Sequence, residues 1–546
     1  MVCALNVWAG AKQAQTAARE GKMGHRQSLL TGTMVLSAAS MANRLLGFVY
    51  QVFLIRLIGT DGIGLFTMVF PVYILALVLA SLGIPVAVAH LVSAAVARRD
   101  FSRVYRLLYL SLAYTVGFSL VVTVVALLSA RFLTGKIFSD PATYLPFVCL
   151  LPGVFIVSVC SVFRGFFQGL QDMTPTAASQ TLEQAVRVAA GLLLAGLFIR
   201  HGVVAAACGA SLGVVCGEAA GFLLMLGFFF HRRALSPLPR RALSGGAGQL
   251  TWEIFRFALP VTLMRLVSTA FLSLDAVLIP HRLVTAGFTP REATGIYGQF
   301  AGIAETLLHT PGMVTVALST ALVPAVSEAL TARDTRLLNS RINNALRLTT
   351  FTGFPSAAVF FLLPEEICKA VFGYPEAGGA LQVLALGAPF LYLQQTTTGV
   401  LQGLGQPFIP FRNLVVASVF KVAGIYFLTG IPAYGIRGAA AALVCSFVMM
   451  GVLNLLDLRQ LTGCSIRFAD IFLKPLVASA VAGALIFAMY NYLAACGVGA
   501  VPNLCTTLVL GGAAYAAVLF LTGALSRQDR QRLSNIFCKI LTAIKR

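Results

Sequence analysis

Ten charged residues interrupt long apolar stretches of this 546-residue sequence. Inside a membrane-spanning helix, each such charge costs roughly 2.5–3.5 kcal/mol on insertion. Residues of this kind therefore face an aqueous cavity, pair with an opposite charge, or extend to the membrane surface. The cations are Arg44, Arg56, Arg164, Arg187, Arg265 and Lys421, and the acids are Glu183, Glu218, Asp275 and Glu305.

Three of the arginines, Arg44, Arg164 and Arg265, have no carboxylate three or four residues away, so their own helix offers them no ion pair. Because a guanidinium binds phosphate in bidentate fashion, they are candidates for a cationic cavity that receives a phosphate-bearing substrate. Pairing with a carboxylate of another helix is the alternative for each. Arg187 and Lys421 complete the set of candidate substrate-binding residues.

The acids are candidates for ion coupling. Glu183 lies four residues before Arg187, so a structural ion pair is as good an interpretation as a functional role. Asp275 and Glu305 lie on predicted helices beside the cavity, where either carboxylate would bind and release Na⁺ or H⁺. Structural pairing with Arg265 is the equal alternative for these two carboxylates.

The sequence lacks the motifs of nucleotide hydrolysis, of common catalytic sites and of metal binding. It has no G-x-x-x-x-G-K-[ST] phosphate loop and no His/Glu or Ser/His/Asp arrangement typical of a catalytic site. The eleven cysteines form no C-x-x-C pair and no metal-like spacing. We therefore expect neither an enzyme nor a cofactor or metal site. Transport would draw on a gradient of Na⁺ or H⁺, or on downstream consumption of the substrate.

The elements that must position these charges are membrane-spanning helices. The chain is 58% hydrophobic and 11% charged, with a mean hydropathy of +0.86, whereas a soluble protein carries about 25% charged residues. Apolar stretches of about 20 residues span a membrane, and they predict an all-α polytopic protein with about fourteen spans. The stretches are 29–58, 64–97, 107–130, 145–170, 176–199, 203–230, 254–280, 296–328, 341–363, 379–404, 412–431, 438–460, 471–495 and 503–523.

The basic residues predict the orientation of these spans. With the N-terminus in the cytoplasm, 27 of the 40 Lys and Arg residues lie in cytoplasmic segments and 7 in outer loops. By the positive-inside rule, this bias places both termini in the cytoplasm of a multi-pass inner-membrane protein. It also accounts for the net charge of +21 without a nucleic-acid partner. Residues 1–28 lack the apolar segment of a cleavable signal peptide and are expected to be a cytoplasmic extension.

The second group of six predicted helices looks like a copy of the first. Gln168–Leu170 matches Gln402–Leu404 at a shift of 234 residues, and Arg187 falls on Lys421 at the same shift. Because six is even, the two halves enter the membrane from the same side and form parallel repeats around a central cavity. A duplicated scaffold without transport is the alternative.

The repeat divides the chain into segments. The last segment has apolar residues on one helical face and basic residues beside them, which predicts an amphipathic helix on the membrane surface or a docking helix for a partner. The segments are an N-lobe at 29–230, a basic cytoplasmic linker at 231–252, a C-lobe at 253–460, two further helices at 461–523 and the amphipathic segment 524–546.

Several stretches resemble a known family. Arg44–Phe48, Arg164–Pro175, Leu182–Val188 and Ser319–Ala329 are similar to the multidrug/oligosaccharidyl-lipid/polysaccharide (MOP) exporter superfamily. Within it, they resemble the stage V sporulation protein B-like group of the polysaccharide-transport branch. The resemblance implies fourteen helices, two six-helix lobes around a V-shaped cavity, and two extra C-terminal helices.

The resemblance also implies a function, which is flipping of an undecaprenyl-pyrophosphate-linked cell-wall precursor, lipid II, with spore cortex as its destination. The implied partners are this polyprenyl-pyrophosphate-linked saccharide, membrane lipids and peptidoglycan synthesis enzymes. Arg44 falls on an arginine shared with the lipid II flippase family. Two other arginines of that family fall on Tyr50 and near Thr306, so its cationic triad does not carry over. The alternatives are another lipid-linked saccharide as cargo, a cation-coupled drug exporter, and a non-transporting scaffold for wall synthesis.

Overall fold

The computed structural model describes residues 29–235, 247–465 and 467–523, and the regular elements in these residues are helices. Short 3₁₀ and π segments lie between or beside the α-helices. The α-helices are α1 (Leu29–Ser81), α2 (Ile84–Ala97), α3 (Phe101–Lys136), α4 (Tyr144–Gly169), α5 (Thr174–Phe198), α6 (Val203–Leu235), α7 (Ala247–Thr285), α8 (Pro290–Tyr297), α9 (Glu305–Thr331), α10 (Thr335–Leu362), α11 (Pro364–Val371), α12 (Gly378–Ala385), α13 (Ala388–Gly403), α14 (Phe408–Thr429), α15 (Gly435–Thr462), α16 (Lys474–Ala495) and α17 (Ala500–Leu521).

Some predicted segments lie outside the described residues. They are the extension 1–28, the centre of the basic linker at 236–246, and the amphipathic segment 524–546. Helix α6 continues to Leu235 and α7 begins at Ala247, so both helices enter the range 231–252 predicted as the linker.

The described chain crosses a membrane about as often as expected. Twelve of its helices are long and apolar enough to span, and the bent pair Pro375–Ala385 and Ala388–Gly403 is a thirteenth candidate. The first span, Ala39–Ser81, has 43 residues, about 65 Å of helix for a hydrocarbon layer of about 30 Å. Gly59 breaks it with φ 73° and ψ −179°, a conformation that favours glycine. Gly59 therefore divides this long helix near the boundary predicted between the first two spans.

The two halves repeat the same helix contacts. A Cβ added at Gly165 would lie 2.3 Å from the carbonyl oxygen of Pro85, and one added at Gly399 would lie 2.5 Å from that of Ser319. Gly399 follows Gly165 by 234 residues, and Ser319 follows Pro85 by the same number. Each half therefore brings two backbones together at a glycine in the same place.

The same shift relates two helix starts. Asp100 and Asp334 each accept a hydrogen bond of 2.9 Å from the backbone N–H three residues later, which caps α3 and α10. The residues before them, Arg99 and Arg333, both have left-handed backbones with φ of 58° and 54°. The duplication seen in the sequence is therefore a duplication of structure.

Apolar packing gives the molecule a V shape. We call the end with the turns 98–100 and 332–334 the basic end, and the end with Gly59 and the turn 286–289 the closed end. At the closed end one core contains residues of both halves, including Leu54 and Phe300. Toward the basic end the halves have separate cores. The first includes Val92, Leu107 and Phe166, and the second includes Val326, Ile342 and Val400.

Polar contacts between the halves also lie at the closed end. Arg56 of α1 donates to the carbonyl oxygens of Ala370 and Val371 at the end of α11, at 2.7–3.0 Å. Asp61 pairs with Arg291 of α8 at 3.1 Å. The halves are thus joined at the closed end, and toward the basic end they have separate cores except at α7, whose Glu253 pairs with Arg103 of α3.

Helix α7 packs on both halves. Leu250 and Ile254 belong to the first-half core, whereas Arg282, near the other end of α7, stacks over Tyr426 of α14 with 4.2 Å between guanidinium carbon and ring centre. Helices α16 and α17 lie outside the repeat, and α16 packs on α10 through Gly483, near Leu362 and Ala358.

Candidate functional site

A cavity of about 520 Å³ lies between the two halves, in the size range of small-molecule sites. One wall comes from α1, α5 and α6 of the first half. The opposite wall comes from α8, the π-helical segment Gly298–Ala304 and α9 of the second half. The lining residues are Asn43, Arg44, Gly47, Tyr50, Gln51, Phe66, Thr67, Phe70, Pro71, Gln184, Arg187, Val214, Tyr297, Ala301, Glu305 and Thr306.

A second cavity of about 300 Å³ adjoins the first. The two share Gln51, Glu305 and Thr306. The smaller cavity adds His309 and Thr310 one turn further along α9. We refer to both together as the central cavity.

Local helix geometry places the second-half wall. Glu305 begins α9 directly after the π-helical segment Gly298–Ala304, and π segments in helices are frequent at functional sites. The Thr306 hydroxyl donates to the carbonyl oxygen of Ala301, five residues back, at 3.4 Å. Ala301, Glu305 and Thr306 all line both cavities.

Arg44 belongs to the central cavity, and its role in substrate binding stays a prediction. It lines the larger cavity, its residue is exposed, and no ion pair or side-chain hydrogen bond joins it to another described residue. Its guanidinium is free to bind an anion.

Arg187 also lines the cavity, and Glu183 pairs with it at 2.6 Å. Glu183 binds Arg164 as well, at 2.7 Å, so one carboxylate bridges two arginines. Arg164 does not line either cavity. The structure shows for Arg164 the alternative that the sequence left open, pairing with a carboxylate of another helix, here Glu183 of α5, and substrate binding by Arg164 stays a prediction.

Arg265 is exposed on α7 and is absent from the lining of both cavities. The alternative to substrate binding, an ion pair between Arg265 and Asp275, is not formed in this structure. The Asp275 carboxylate instead pairs with Lys421, which joins α7 to α14. Substrate binding by Arg265 stays a prediction.

Lys421 was predicted to bind substrate, but it is only 7% exposed and lines neither cavity. Its ammonium is satisfied by one oxygen of Asp275, whose other oxygen, Oδ1, is buried without a hydrogen-bond partner among the described residues. The pair thus joins α7 to α14 inside the second half, and substrate binding by Lys421 stays a prediction.

Glu305 lines both cavities. It forms no ion pair or side-chain hydrogen bond with another described residue. Asp275 and Lys421 act on it electrostatically with opposite signs. The prediction of Na⁺ or H⁺ coupling through Asp275, Glu305 and Glu183 stays a prediction. In the described part of the chain, no group of three or more His, Cys, Asp or Glu residues has an arrangement that holds a metal ion.

Several cavity residues escaped the sequence analysis. Gln51 follows Arg44 by seven residues and Gln184 precedes Arg187 by three, so helical spacing places each on the face of its arginine. That spacing was a usable signal.

Outside both cavities, Tyr73 donates a hydrogen bond to the buried Glu218 at 2.6 Å. No sequence pattern predicts a contact between two residues so far apart in the chain.

Two family profiles match the chain. The profile described as polysaccharide biosynthesis protein matches residues 29–330. The profile described as MatE matches residues 301–427. Together they cover most of both halves.

Individual proteins are similar over most of their length. Stage V sporulation protein B of Bacillus subtilis (strain 168) is 31% identical over 512 residues, which are 93% of this chain and 98% of that protein. The lipid II flippase MurJ of the same organism is 27% identical over 422 residues, or 72% and 76% of the two chains. A solved structure of lipid II flippase MurJ in an inward closed conformation has a TM-score of 0.70 and 14% identity, covering 90% of this chain and 98% of that one. The last comparison shows a shared fold.

Proposed function

From the premise that this chain belongs to the polysaccharide biosynthesis protein family of the MOP exporter superfamily, we propose that it flips lipid II, an undecaprenyl-pyrophosphate-linked cell-wall precursor, across the cytoplasmic membrane. The chain is a membrane transporter and not an enzyme. The similarity to stage V sporulation protein B supports spore cortex as the destination of the cargo.

The observation that carries the proposal is the free guanidinium of Arg44 in a cavity between two lobes. Arg187 adds a second cation to the same wall. A pyrophosphate offers the oxygen geometry that a guanidinium binds in bidentate fashion. These cations offset the cost of moving an anion through a low-dielectric region.

The V shape supports alternating access. The basic end is enriched in Lys and Arg, so the positive-inside rule assigns it to the cytoplasm, together with both termini. The cavity then receives a head group from the cytoplasmic leaflet. Rearrangement of the two lobes about the cavity exposes the head group to the outer side while the polyprenyl tail stays in lipid.

The test is reconstitution of the purified protein in liposomes with fluorescent lipid II. Chemical reduction of the fluorescent label that is exposed on the outer leaflet measures transbilayer movement of lipid II. We expect movement that depends on the protein and falls at least tenfold in Arg44→Ala, in line with the loss of a charge-assisted contact.

Arg200→Ala is the matched control, since Arg200 is an exposed arginine in the turn after α5 and lies outside both cavities. Movement equal in Arg44→Ala and the wild type would contradict the proposed site. Absence of both movement and lipid II binding in the wild type would contradict the cargo. A protein that binds wall-synthesis enzymes but no lipid-linked saccharide would be a scaffold.

A further inference from the structure

The larger cavity carries opposite charges on its two walls. Arg44 and Arg187 lie on the first-half wall, and Glu305 lies on the second-half wall. A site that binds only an anion has no use for a carboxylate facing it, because like charges repel in a low-dielectric cavity. Glu305 therefore needs an explanation separate from pyrophosphate binding.

The neighbouring cation does not neutralise Glu305. Lys421 is already in an ion pair with Asp275, and this pair has no net charge. Asp275 also repels Glu305. On the opposite wall, Arg44 forms no ion pair with Glu305 across the cavity. The carboxylate thus faces the cavity without an ion-pair or hydrogen-bond partner among the described residues, and the cavity cations Arg44 and Arg187 lie on the opposite wall.

Polar groups beside Glu305 suit a primary ammonium. An ammonium has three N–H donors and no acceptor. Thr306 follows Glu305 directly and Thr310 lies five residues after it on α9, and both line the smaller cavity with it. Both hydroxyls already donate to backbone carbonyls, Thr306 to Ala301 and Thr310 to Thr306. Their oxygen lone pairs are left to accept.

We propose that Glu305 binds a primary ammonium of the cargo head group while Arg44 binds its pyrophosphate. The central cavity would then select cargo that carries both charges, as a peptidoglycan precursor does through the diamino acid of its peptide stem. This inference rests on the proposed function and names the specificity of the same site.

A proton is the competing occupant of Glu305. The charged and titratable groups that line the cavities with this carboxylate or act on it are Asp275 of α7, Lys421 of α14, Tyr297 of α8, Arg44 of α1, Arg187 of α5 and His309 of α9. A proton would neutralise Glu305 whatever the cargo carries. An ammonium would do so only for cargo with a free amine, and this difference separates the two.

The experiment compares two cargoes in the same proteoliposomes. One is lipid II with a free stem amine, and the other is the same molecule with that amine acetylated. We expect the wild type to prefer the free amine by about tenfold, the effect of removing one partner of a partly buried charge pair. In Glu305→Gln, movement of the free-amine cargo should fall to that of the acetylated cargo. Movement of the acetylated cargo should be the same as in the wild type. Glu376→Gln, at an exposed glutamate before α12, is the matched control.

Each other outcome overturns part of the inference. An equal fall in the movement of both cargoes in Glu305→Gln indicates proton coupling. Equal movement of both cargoes by the wild type contradicts ammonium binding, and this comparison needs no variant. Binding of both cargoes is measured in parallel by fluorescence titration in detergent. A free-amine preference in binding that Glu305→Gln abolishes supports the inference even where no movement occurs, in which case the proposed transport alone fails. Failure of the wild type to bind either cargo overturns both proposals.

Discussion

Arg187 and Lys421 occupy equivalent positions of the two halves, 234 residues apart, and each is ion-paired with a carboxylate. Arg187 pairs with Glu183 one turn away on its own helix and borders the central cavity. Lys421 pairs with Asp275 of another helix and lies outside the cavity lining. The duplicated position has therefore diverged, with the first-half cation at the cavity and the second-half cation in the protein interior.

The Lys421–Asp275 pair yields the first prediction. Asp275→Ala leaves a buried ammonium without its partner, which destabilises the fold by about 3–5 kcal/mol. The double variant Asp275→Val with Lys421→Met removes both charges and should recover most of that loss. The measurement is the midpoint of thermal unfolding of the detergent-purified protein.

An exposed ion pair provides the control for this cycle. Lys474 and Asp470 form an i,i+4 pair with side chains 32% and 41% exposed. Asp470→Ala should change stability by at most about 0.5 kcal/mol. A Tm for Asp275→Ala equal to that for Asp470→Ala would contradict the structural role of the buried pair.

Arg44 and Arg164 should respond differently to truncation. Arg44→Ala removes a free cavity cation, so we expect about tenfold weaker binding of pyrophosphate-bearing cargo and an unchanged Tm. Arg164→Ala removes one of the two arginines that hold Glu183, which should destabilise the fold by about 1–3 kcal/mol. Cargo titration and thermal unfolding of both variants check the separation. The assignment fails if Arg44→Ala unfolds at a lower temperature and Arg164→Ala does not.

The repeated glycine contact predicts a matched pair of steric effects. A methyl group at Gly165 meets the Pro85 carbonyl oxygen, and one at Gly399 meets that of Ser319. Gly165→Ala and Gly399→Ala should each destabilise the protein by about 1–3 kcal/mol, as overpacked sites do. In Gly117→Ala no atom lies within 4 Å of the added methyl group, so this helix should keep or slightly raise its stability. Equal Tm values for all three variants would argue against the close helix approach.

Arg56 predicts the behaviour of the closed end. Its guanidinium satisfies carbonyl groups at the end of α11 that have no partner within that helix. Arg56→Ala should loosen the contact between the halves, and amides of 56–64 and 364–374 should exchange with deuterium about tenfold faster, since hydrogen bonds to charged groups contribute about 1.5–3 kcal/mol. Arg200→Ala, at another exposed arginine of the closed end, should leave this exchange unchanged. Unchanged exchange in Arg56→Ala would show that the apolar core alone joins the halves.

Much of the fold was predictable from the sequence. Apolar stretches of about 20 residues predict spans because a bilayer leaves backbone groups no partner outside their own helix. Equal spacing of Gln168–Leu170 and Gln402–Leu404 predicted the repeat that the Gly165 and Gly399 contacts show in space. The break at Gly59 was visible only as the boundary between two apolar runs.

The candidate site was predictable in part. The sequence by itself determined which charges lie in the membrane, that Arg187 and Glu183 share a helical face, and that a cavity should lie between the halves. Only the tertiary structure decided that Asp275 pairs with Lys421 and not with Arg265, and that Glu183 also engages Arg164. It also decided that Arg44 and Glu305 line the cavity without an ion-pair partner in the described part of the chain. The physical reason is that a helix in lipid is apolar on nearly all sides, so its composition does not specify its rotation about its own axis. Packing against neighbouring helices sets that rotation, and with it the partner of each buried charge.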